Sequence, residues 1–186
     1  VGLSTGFNGI FSPLYYQTVY DDYVIEMVYQ SMLSYDRDNQ LQPVLATEQP
    51  TVSEDGSTLT FKLKKGVKFS DGSKLDADDV VLTFTAMADP SYTGRFSSNV
   101  DFLNGYSEYH DGDAKDVSGI ETPDDYTVVF HMAKPKIDAE STLGTQKICS
   151  AKTLKYKKGK TSNVEKNNSN PIGTGPYKLK SFSKKE

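Results

Sequence analysis

The chain has 186 residues, of which 36% are hydrophobic and 25% are charged, and its net charge is −4 at pH 7. This composition predicts one folded globular unit, or one unit and part of another, and argues against a disordered segment. The mild acidic balance argues against a nucleic-acid partner, and no apolar run reaches the roughly 20 residues that a membrane-spanning helix needs.

The first 40 residues predict two short extended pieces followed by an amphipathic helix. The extended pieces are expected over residues 1–4 and 14–20. Asp21 or Asp22 is predicted to cap the helix, because a carboxylate there accepts hydrogen bonds from unpaired backbone N–H groups. Apolar residues at helical spacing then predict the helix itself over about residues 23–33.

The stretch from residue 58 to residue 88 predicts a strand, two turns and a capped helix with almost no spare residue. Apolar side chains at every second position indicate a half-buried strand, and they are Leu59, Phe61 and Leu63. Asp76 with Asp79 three residues later predicts a capping box, which places acidic groups at the positive end of the helix dipole. The helix is expected over residues 77–88.

The rest of the chain predicts shorter elements joined by polar loops. A partly helical segment is expected over residues 98–109, and two strands are expected on either side of a turn at 122–125. A short helix is predicted to end at Gly159. The Gly- and Pro-rich block at 170–176 is expected to lead into a strand over 177–182.

The residues that most often carry chemistry form no recognisable catalytic or metal site. Cys149 is the only cysteine, so an intrachain disulfide is excluded, and a nucleophilic thiol would need a histidine partner. His110 and His131 alone do not make a zinc site. The segment 173–175, Gly-Thr-Gly, lacks the lysine and the helix of a phosphate loop, and we interpret it as a turn whose glycines supply special backbone angles. We therefore expect no enzyme activity, no cofactor and no metal.

Aromatic side chains interleaved with polar residues are the feature that most favours a binding function. Such residues line clefts for flexible ligands, although ordinary packing is the alternative for each of them. The set comprises Tyr15, Tyr16, Tyr20, Phe96, Phe102, Tyr106 and Tyr109.

Three blocks of the sequence occur in an order and spacing that match a known family. They are FKLKKGVKFSDGSKLDADDVV at 61–81, VYQSML with LQPVLA at 28–46, and NPIGTGPY at 170–177. With these blocks the chain resembles, over essentially its whole length, the extracytoplasmic solute-binding proteins of ABC importers, in the oligopeptide/dipeptide/nickel group.

The resemblance implies an α/β fold, of mixed α+β type, in a periplasmic-binding-protein-like class II lobe. In such proteins the first lobe is discontinuous and an α/β subdomain is inserted into it. By this resemblance, residues 1–40 and 168–186 are parts of the first, hinge-side lobe, and residues 41–167 are the inserted subdomain. The second, ligand-closing lobe is absent, so the chain is expected to be an N-terminal fragment.

The resemblance also implies a function and a set of site residues. The expected role is to capture oligopeptides or dipeptides outside the cytoplasm and deliver them to the transmembrane subunits of an ABC permease, as a monomer without cofactor. The expected location is the periplasm, or the outer face of the membrane as a lipoprotein. Matched position by position, the ligand-contacting residues are Gln17, Thr18, Val19, Tyr20 and Phe96.

Several alternatives stay open on the sequence alone. The same family contains binders of nickel chelates and of oligosaccharides, and a peptide signal receptor would share every block quoted above. An enzyme such as a hydrolase is a further class, but the sequence shows no nucleophile with a base and an orienting group.

Overall fold

A computed structural model describes residues 6–166 and 168–183 of the chain. The strand predicted over residues 1–4 therefore lies outside the described residues. In chain order the elements are α1 Val19–Val28, β1 Leu33–Tyr35, β2 Leu41–Pro43, β3 Thr51–Val52, β4 Thr58–Lys62, α2 Ala77–Ala88, a 3₁₀ turn Ser97–Asn99, α3 Tyr106–Asp111, β5 Ile120–Asp124, β6 Thr127–His131, α4 Ala139–Gly144, α5 Ala151–Leu154 and α6 Ser162–Glu165.

The main sheet has four antiparallel strands in the order β3-β4-β6-β5, and β1 pairs with β2 in a separate hairpin. Leu59 on β4 lies opposite Phe130 on β6, and both side chains are buried. The α2 helix packs against the sheet, since the Phe84 and Phe130 rings lie 4.9 Å apart and edge to face. The strand predicted from alternating apolar residues is thereby confirmed, and its apolar face forms the core with α2.

The capping box at the start of α2 is also confirmed. Asp76 Oδ1 accepts from the backbone N–H of Asp78 at 3.1 Å, and Asp79 Oδ2 accepts from the backbone N–H of Asp76 at 3.0 Å. The second oxygen of Asp79 accepts from the N–H of Ala151 at 2.8 Å, so this side chain also fixes the start of α5. Burial raises the pKa of Asp79 to about 6, against an ordinary value of 3.8.

The α1 helix begins four residues earlier than predicted, and the extended piece predicted over 14–20 is wrong. Thr18 is the N-cap, and its hydroxyl accepts from the backbone N–H of Asp21 at 3.2 Å. The chain before it turns, because Ser12 O accepts from the N–H groups of both Tyr15 and Tyr16. The helix then ends at Val28 rather than near residue 33. Asp21 and Asp22, which were the predicted caps, lie in the first turn of α1 instead. Their carboxylates there still interact favourably with the positive end of the helix dipole.

The Gly- and Pro-rich block runs alongside the end of α1. The N–H of Gly175 donates to Val28 O at 2.8 Å, and the N–H of Tyr177 donates to Met27 O at 3.3 Å. Neither Gly173 nor Gly175 has a positive φ, so the prediction that these glycines supply special backbone angles is wrong. A Cβ at Gly175 would lie 2.6 Å from Met27 O, and the glycine is required because the two backbones approach so closely.

The remaining predictions are confirmed in part. The segment predicted over 98–109 contains the 3₁₀ turn and α3, but it is not one continuous helix. The short helix predicted to end at Gly159 is α5, which ends at Leu154, because Lys155 takes a left-handed conformation with φ 48°. The strand predicted over 177–182 is not formed in the described part of the chain. Within residues 6–166 and 168–183, no helix has the length and apolar character needed to span a membrane.

Candidate functional site

Four of the predicted site residues lie together at the exposed start of α1. Gln17 is exposed, Thr18 caps the helix, and Val19 is 54% exposed. Tyr20 is half-buried, and its ring lies 6.3 Å from that of Tyr23 in an edge-to-face arrangement. The segment therefore offers apolar and aromatic side chains to anything that approaches this end of the helix.

The fifth predicted residue, Phe96, reaches this segment through Tyr16. The two rings lie 5.2 Å apart, with their planes inclined by 39°. The guanidinium group of Arg95 lies over both rings, 4.7 Å from the centre of Tyr16 and 4.8 Å from that of Phe96. We call these three residues, Tyr16, Arg95 and Phe96, the aromatic–arginine cluster. It joins two parts of the chain that are about 80 positions apart in the sequence.

Residues of the aromatic–arginine cluster line two pockets. The larger has a volume of about 360 Å³ and is lined by Ile10, Tyr15, Tyr16, Gln17, Thr93, Gly94, Arg95, Glu165 and Asn168. The smaller has a volume of about 140 Å³ and is lined by Pro13, Tyr16, Asp22, Glu26, Phe96, Asn99, Thr142, Thr145, Gln146 and Lys147. The structure thus places Gln17 in one pocket and Phe96 in the other, with Tyr16 shared between them.

The smaller pocket carries three charged side chains. Lys147 Nζ lies 2.9 Å from Glu26 Oε1 and forms an ion pair with it. Burial, and then the neighbouring Glu26 carboxylate, raise the pKa of Asp22, while Lys147 and Arg95 act in the opposite direction. This pocket therefore holds two carboxylates against one ammonium group, together with the aromatic side chains of Tyr16 and Phe96.

Asp89 holds the loop that carries Arg95 and Phe96. This residue is 1% exposed, and its carboxylate accepts from the N–H of Ser91 at 2.8 Å and from the N–H of Gly159 at 2.8 Å. The hydroxyl groups of Ser91 and Tyr156 donate to it as well. Burial acts to raise the pKa of Asp89, but these donors outweigh it and lower the pKa. One buried anion, satisfied by neutral donors, thereby fixes the start of the loop.

Other members of the predicted aromatic set pack elsewhere. Tyr109 is buried, and its hydroxyl bonds to that of Tyr156 at 2.5 Å. Tyr106 stacks on His110 at 5.4 Å. Tyr15 is buried beside the cluster, with its ring 5.2 Å from that of Tyr92. For these side chains, ordinary packing is the better description.

The residues considered for chemistry occupy structural positions. Cys149 is buried, and burial raises the pKa of its thiol to about 12, which leaves it protonated and unreactive. His131 Nδ1 lies 3.2 Å from Thr58 Oγ1, and His110 Nδ1 lies 3.0 Å from Ala88 O. Across residues 6–166 and 168–183, no three His, Cys, Asp or Glu side chains are grouped so that they could hold a metal ion.

Arg95 and the charged group of the smaller pocket were missed by the sequence reasoning. Arg95 is one of only two arginines in the chain and directly precedes Phe96, which was the one available signal. The sequence indicates Asp22 only as a helix cap. Glu26 and Lys147 meet across 121 positions of sequence, and no local pattern indicates such a pair.

The backbone before α1 is able to pair with an extended ligand. Thr18 has extended angles, φ −119° and ψ 148°. The N–H groups of Gln17 and Thr18 donate to no other group in the part of the chain that the structure describes. Free backbone donors beside aromatic rings suit a ligand that is itself a peptide, because such a ligand supplies carbonyl acceptors along an extended chain.

Comparison with protein families places the chain in one family. Residues 40–186 match the family model described as bacterial extracellular solute-binding proteins, family 5 Middle. This match covers most of the chain and includes the sheet, α2 and the loop of Arg95 and Phe96.

Two curated relatives illustrate the similarity. Protein XP55 of Streptomyces lividans is 33% identical over 162 residues, which cover 86% of this chain and 26% of that protein. The Di/tripeptide-binding protein 1 of Pseudomonas aeruginosa (strain UCBPP-PA14) is 32% identical over 188 residues, which cover 94% of this chain and 33% of that protein. The chain thus spans between a quarter and a third of the length of these relatives.

Solved structures show the same fold. The oligopeptide-binding protein AppA from Bacillus subtilis, in complex with a nonapeptide, matches with a TM-score of 0.81 and 26% identity over 98% of this chain and 34% of AppA. NikZ from Campylobacter jejuni, in complex with Ni(L-His), matches with a TM-score of 0.77 and 25% identity over 94% of this chain and 31% of NikZ. The mixed α/β, periplasmic-binding-protein-like class II fold expected from the sequence is confirmed. The chain belongs to the family 5 bacterial extracellular solute-binding proteins.

Proposed function

We propose that this chain contributes the peptide-binding surface of the extracytoplasmic substrate-binding component of an ABC importer. The observation that carries the proposal is the backbone at Gln17 and Thr18, whose N–H groups are free among the described residues and which is extended at Thr18, beside the packed rings of Tyr16 and Phe96. Backbone pairing gives affinity that depends little on side-chain identity, and the rings add apolar contact. The names of relatives that bind dipeptides and tripeptides support the same class of ligand.

The proposal includes the arrangement of the chain within the importer. Residues 1–40 and 168–186 would belong to the hinge-side lobe, and residues 41–167 would form the inserted subdomain. The ligand would be enclosed when a second lobe closes on this surface, and the closed monomer would dock on the permease subunits. We further propose that the protein is not an enzyme and that it works in the periplasm or as a lipoprotein on the outer face of the membrane.

The first experiment asks what the protein retains. The complete gene product is purified without refolding, its small ligands are released with acid, and they are identified by mass spectrometry. Calorimetric titration with di-, tri- and pentapeptides then measures affinity. Retained peptides of a defined length range, and peptide affinities in the micromolar range or tighter, are expected. A protein that retains no peptide and binds none of the three lengths refutes the proposal.

Two alanine variants test the site residues. Phe96→Ala removes the ring that contacts Tyr16 and should weaken peptide binding about tenfold. Val19→Ala removes two methyl groups from an exposed position and should weaken it about threefold. The matched control is Val52→Ala, which makes the same chemical change at a valine that is 50% exposed on β3. Unchanged affinity in both site variants contradicts the assignment of these residues.

A binder of nickel chelates is the second candidate function. The match to NikZ in complex with Ni(L-His) favours it. The same titration with nickel and histidine in place of peptide distinguishes the two candidates, because the chelate would bind with defined stoichiometry only in the second case.

A further inference from the structure

Arg95 is held in one orientation by the two rings beneath it. The guanidinium carbon lies 4.7 Å from the centre of the Tyr16 ring and 4.8 Å from that of the Phe96 ring, so the π-systems of both rings attract its charge. The Tyr16 and Phe96 rings also pack against each other and against the core, so the support is itself fixed. The arginine is therefore pre-oriented although its side chain is exposed.

Within the described ranges, Arg95 takes part in no ion pair that would neutralise its charge. Glu165 also lines the larger pocket, where its carboxylate accepts from the hydroxyl of Thr93 at 2.7 Å, whereas Glu26 pairs with Lys147. Asp22 lines the smaller pocket, and its carboxylate is close enough to Arg95 for the two charges to attract each other. The guanidinium group also donates a hydrogen bond to the Tyr16 hydroxyl. Arg95 thus lines the larger pocket with a charge that Asp22 attracts but that no ion pair among the described residues neutralises.

A cation–π contact does not use up the five N–H donors of a guanidinium group. Those donors form a rigid fork that matches the two oxygens of a carboxylate. Arg95 lines the larger pocket together with Gln17, so a ligand that pairs with the backbone at Gln17 would bring its next groups within reach. A lysine at this position would supply a point charge without the planar fork of donors.

From this geometry we propose that Arg95 binds a carboxylate group of the ligand and gives the protein a preference for anionic peptides. The inference rests on the proposed peptide-binding function and adds the chemical class of ligand. The carboxylate is either the carboxyl terminus of a short peptide or the side chain of an acidic residue within a longer one. Both sources present the same two oxygens to the guanidinium fork.

The test compares ligands that differ only in charge. The complete gene product is titrated by calorimetry with tetra-alanine as the free acid, with tetra-alanine amide, and with amidated tetrapeptides that carry Glu or Gln at one inner position. The free acid or the Glu peptide should bind about 10- to 100-fold more tightly than its neutral counterpart, the range expected for a charged hydrogen-bonded pair. The pair of peptides that shows the difference identifies the source of the carboxylate.

Three variants separate charge recognition from packing. Arg95→Met keeps an apolar stem over the rings and should remove the preference for the anionic peptide, while the neutral peptide keeps its affinity within about twofold. Arg95→Lys should keep part of the preference. Arg37→Met is the matched control, because Arg37 is the other arginine and lies in an exposed turn, and it should change neither affinity.

The outcomes that overturn the inference differ from those that overturn the proposed function. If the wild-type protein binds anionic and neutral peptides equally well, Arg95 does not select a carboxylate. If Arg95→Met weakens the binding of the anionic and the neutral peptide by the same factor, the residue acts by packing alone, and the inference is again wrong. A protein that binds none of the peptides refutes the proposed function and this inference with it.

Discussion

Replacing Asp79 with asparagine probes a buried carboxylate that holds two elements together. Asp79 is 4% exposed and accepts from the backbone N–H groups of Asp76, at 3.0 Å, and Ala151, at 2.8 Å. Burial raises its pKa to about 6, because desolvation disfavours the charged form more than the two N–H donors favour it. The folded chain therefore holds a proton on this side chain more tightly than the unfolded chain does.

The sign and the size of the effect follow from that difference. With a pKa of about 6 in the folded chain and 3.8 in the unfolded chain, protonation of Asp79 contributes about 3 kcal/mol to the free energy of unfolding. This contribution is fully present below about pH 3.8 and is lost as the pH rises through about 6. Asparagine does not titrate. The free energy of unfolding of the wild type, minus that of Asp79→Asn, should therefore fall by about 2 to 3 kcal/mol between pH 4 and pH 7.5.

The assay is urea denaturation followed by circular dichroism at several pH values, on the wild type and the variant. Other titrating groups affect both proteins alike and cancel in the difference. Asp78→Asn is the matched control, since Asp78 lies in the same first turn of α2 but is exposed. The reasoning is refuted if the difference for Asp79→Asn is flat between pH 4 and pH 7.5, or if it grows as the pH rises.

Three further results are expected. Gly175→Ala should lower the free energy of unfolding by at least about 2 kcal/mol, because the new Cβ would lie 2.6 Å from the α1 backbone. Gly6 has open space around it, so Gly6→Ala should change the free energy of unfolding little. Phe84→Ala should lower the free energy of unfolding by about 3–5 kcal/mol, because it leaves a cavity beneath the sheet. Ile137→Ala, at a fully exposed position, should lower it by less than about 0.5 kcal/mol, and urea denaturation measures both changes. Cys149 should react with a thiol reagent only at the rate of unfolding, since its buried thiol has a pKa near 12, and rapid labelling of the folded chain would contradict this.

The stretch from residue 58 to residue 88 was predictable because each of its determinants is local. Alternating apolar residues predict β4 whatever lies next to it, and the capping box of α2 involves only Asp76 and its near neighbours. Local preference and tertiary packing agree there, so the predicted bounds of α2, residues 77–88, match the observed ones.

The start of α1 was placed wrongly because several residues compete for one role. Thr18, Asp21 and Asp22 are all good N-caps, and the sequence does not say which one takes the position. The turn at Ser12, whose carbonyl accepts two N–H groups, sets the direction of the chain and favours Thr18. A strand over 177–182 needs a neighbouring strand to complete its hydrogen bonds, and the alternation of residues cannot indicate whether one is present.

The candidate site shows the same division between local and long-range information. The proximity of Phe96 to the start of α1 depends on a contact with Tyr16 about 80 positions away, and only the resemblance to a family connected the two. The only mark of Arg95 in the sequence is its position directly before Phe96, and an arginine in a polar loop is usually solvated. The ligand contacts of Gln17, Thr18, Val19, Tyr20 and Phe96 stay predictions, and the alanine variants test them.

The Asp89 carboxylate also determines how the chain exchanges hydrogen with solvent. It accepts from Gly159, 70 positions away in the sequence, and its partners carry no positive charge. If the 155–161 loop opened alone, a buried anion would lose two of its donors without gaining a counter-ion, so local opening is disfavoured. The amide of Gly159 should then exchange as slowly as the amides of the core sheet, although it lies in a loop, and the loop and the end of α2 should unfold as one cooperative unit.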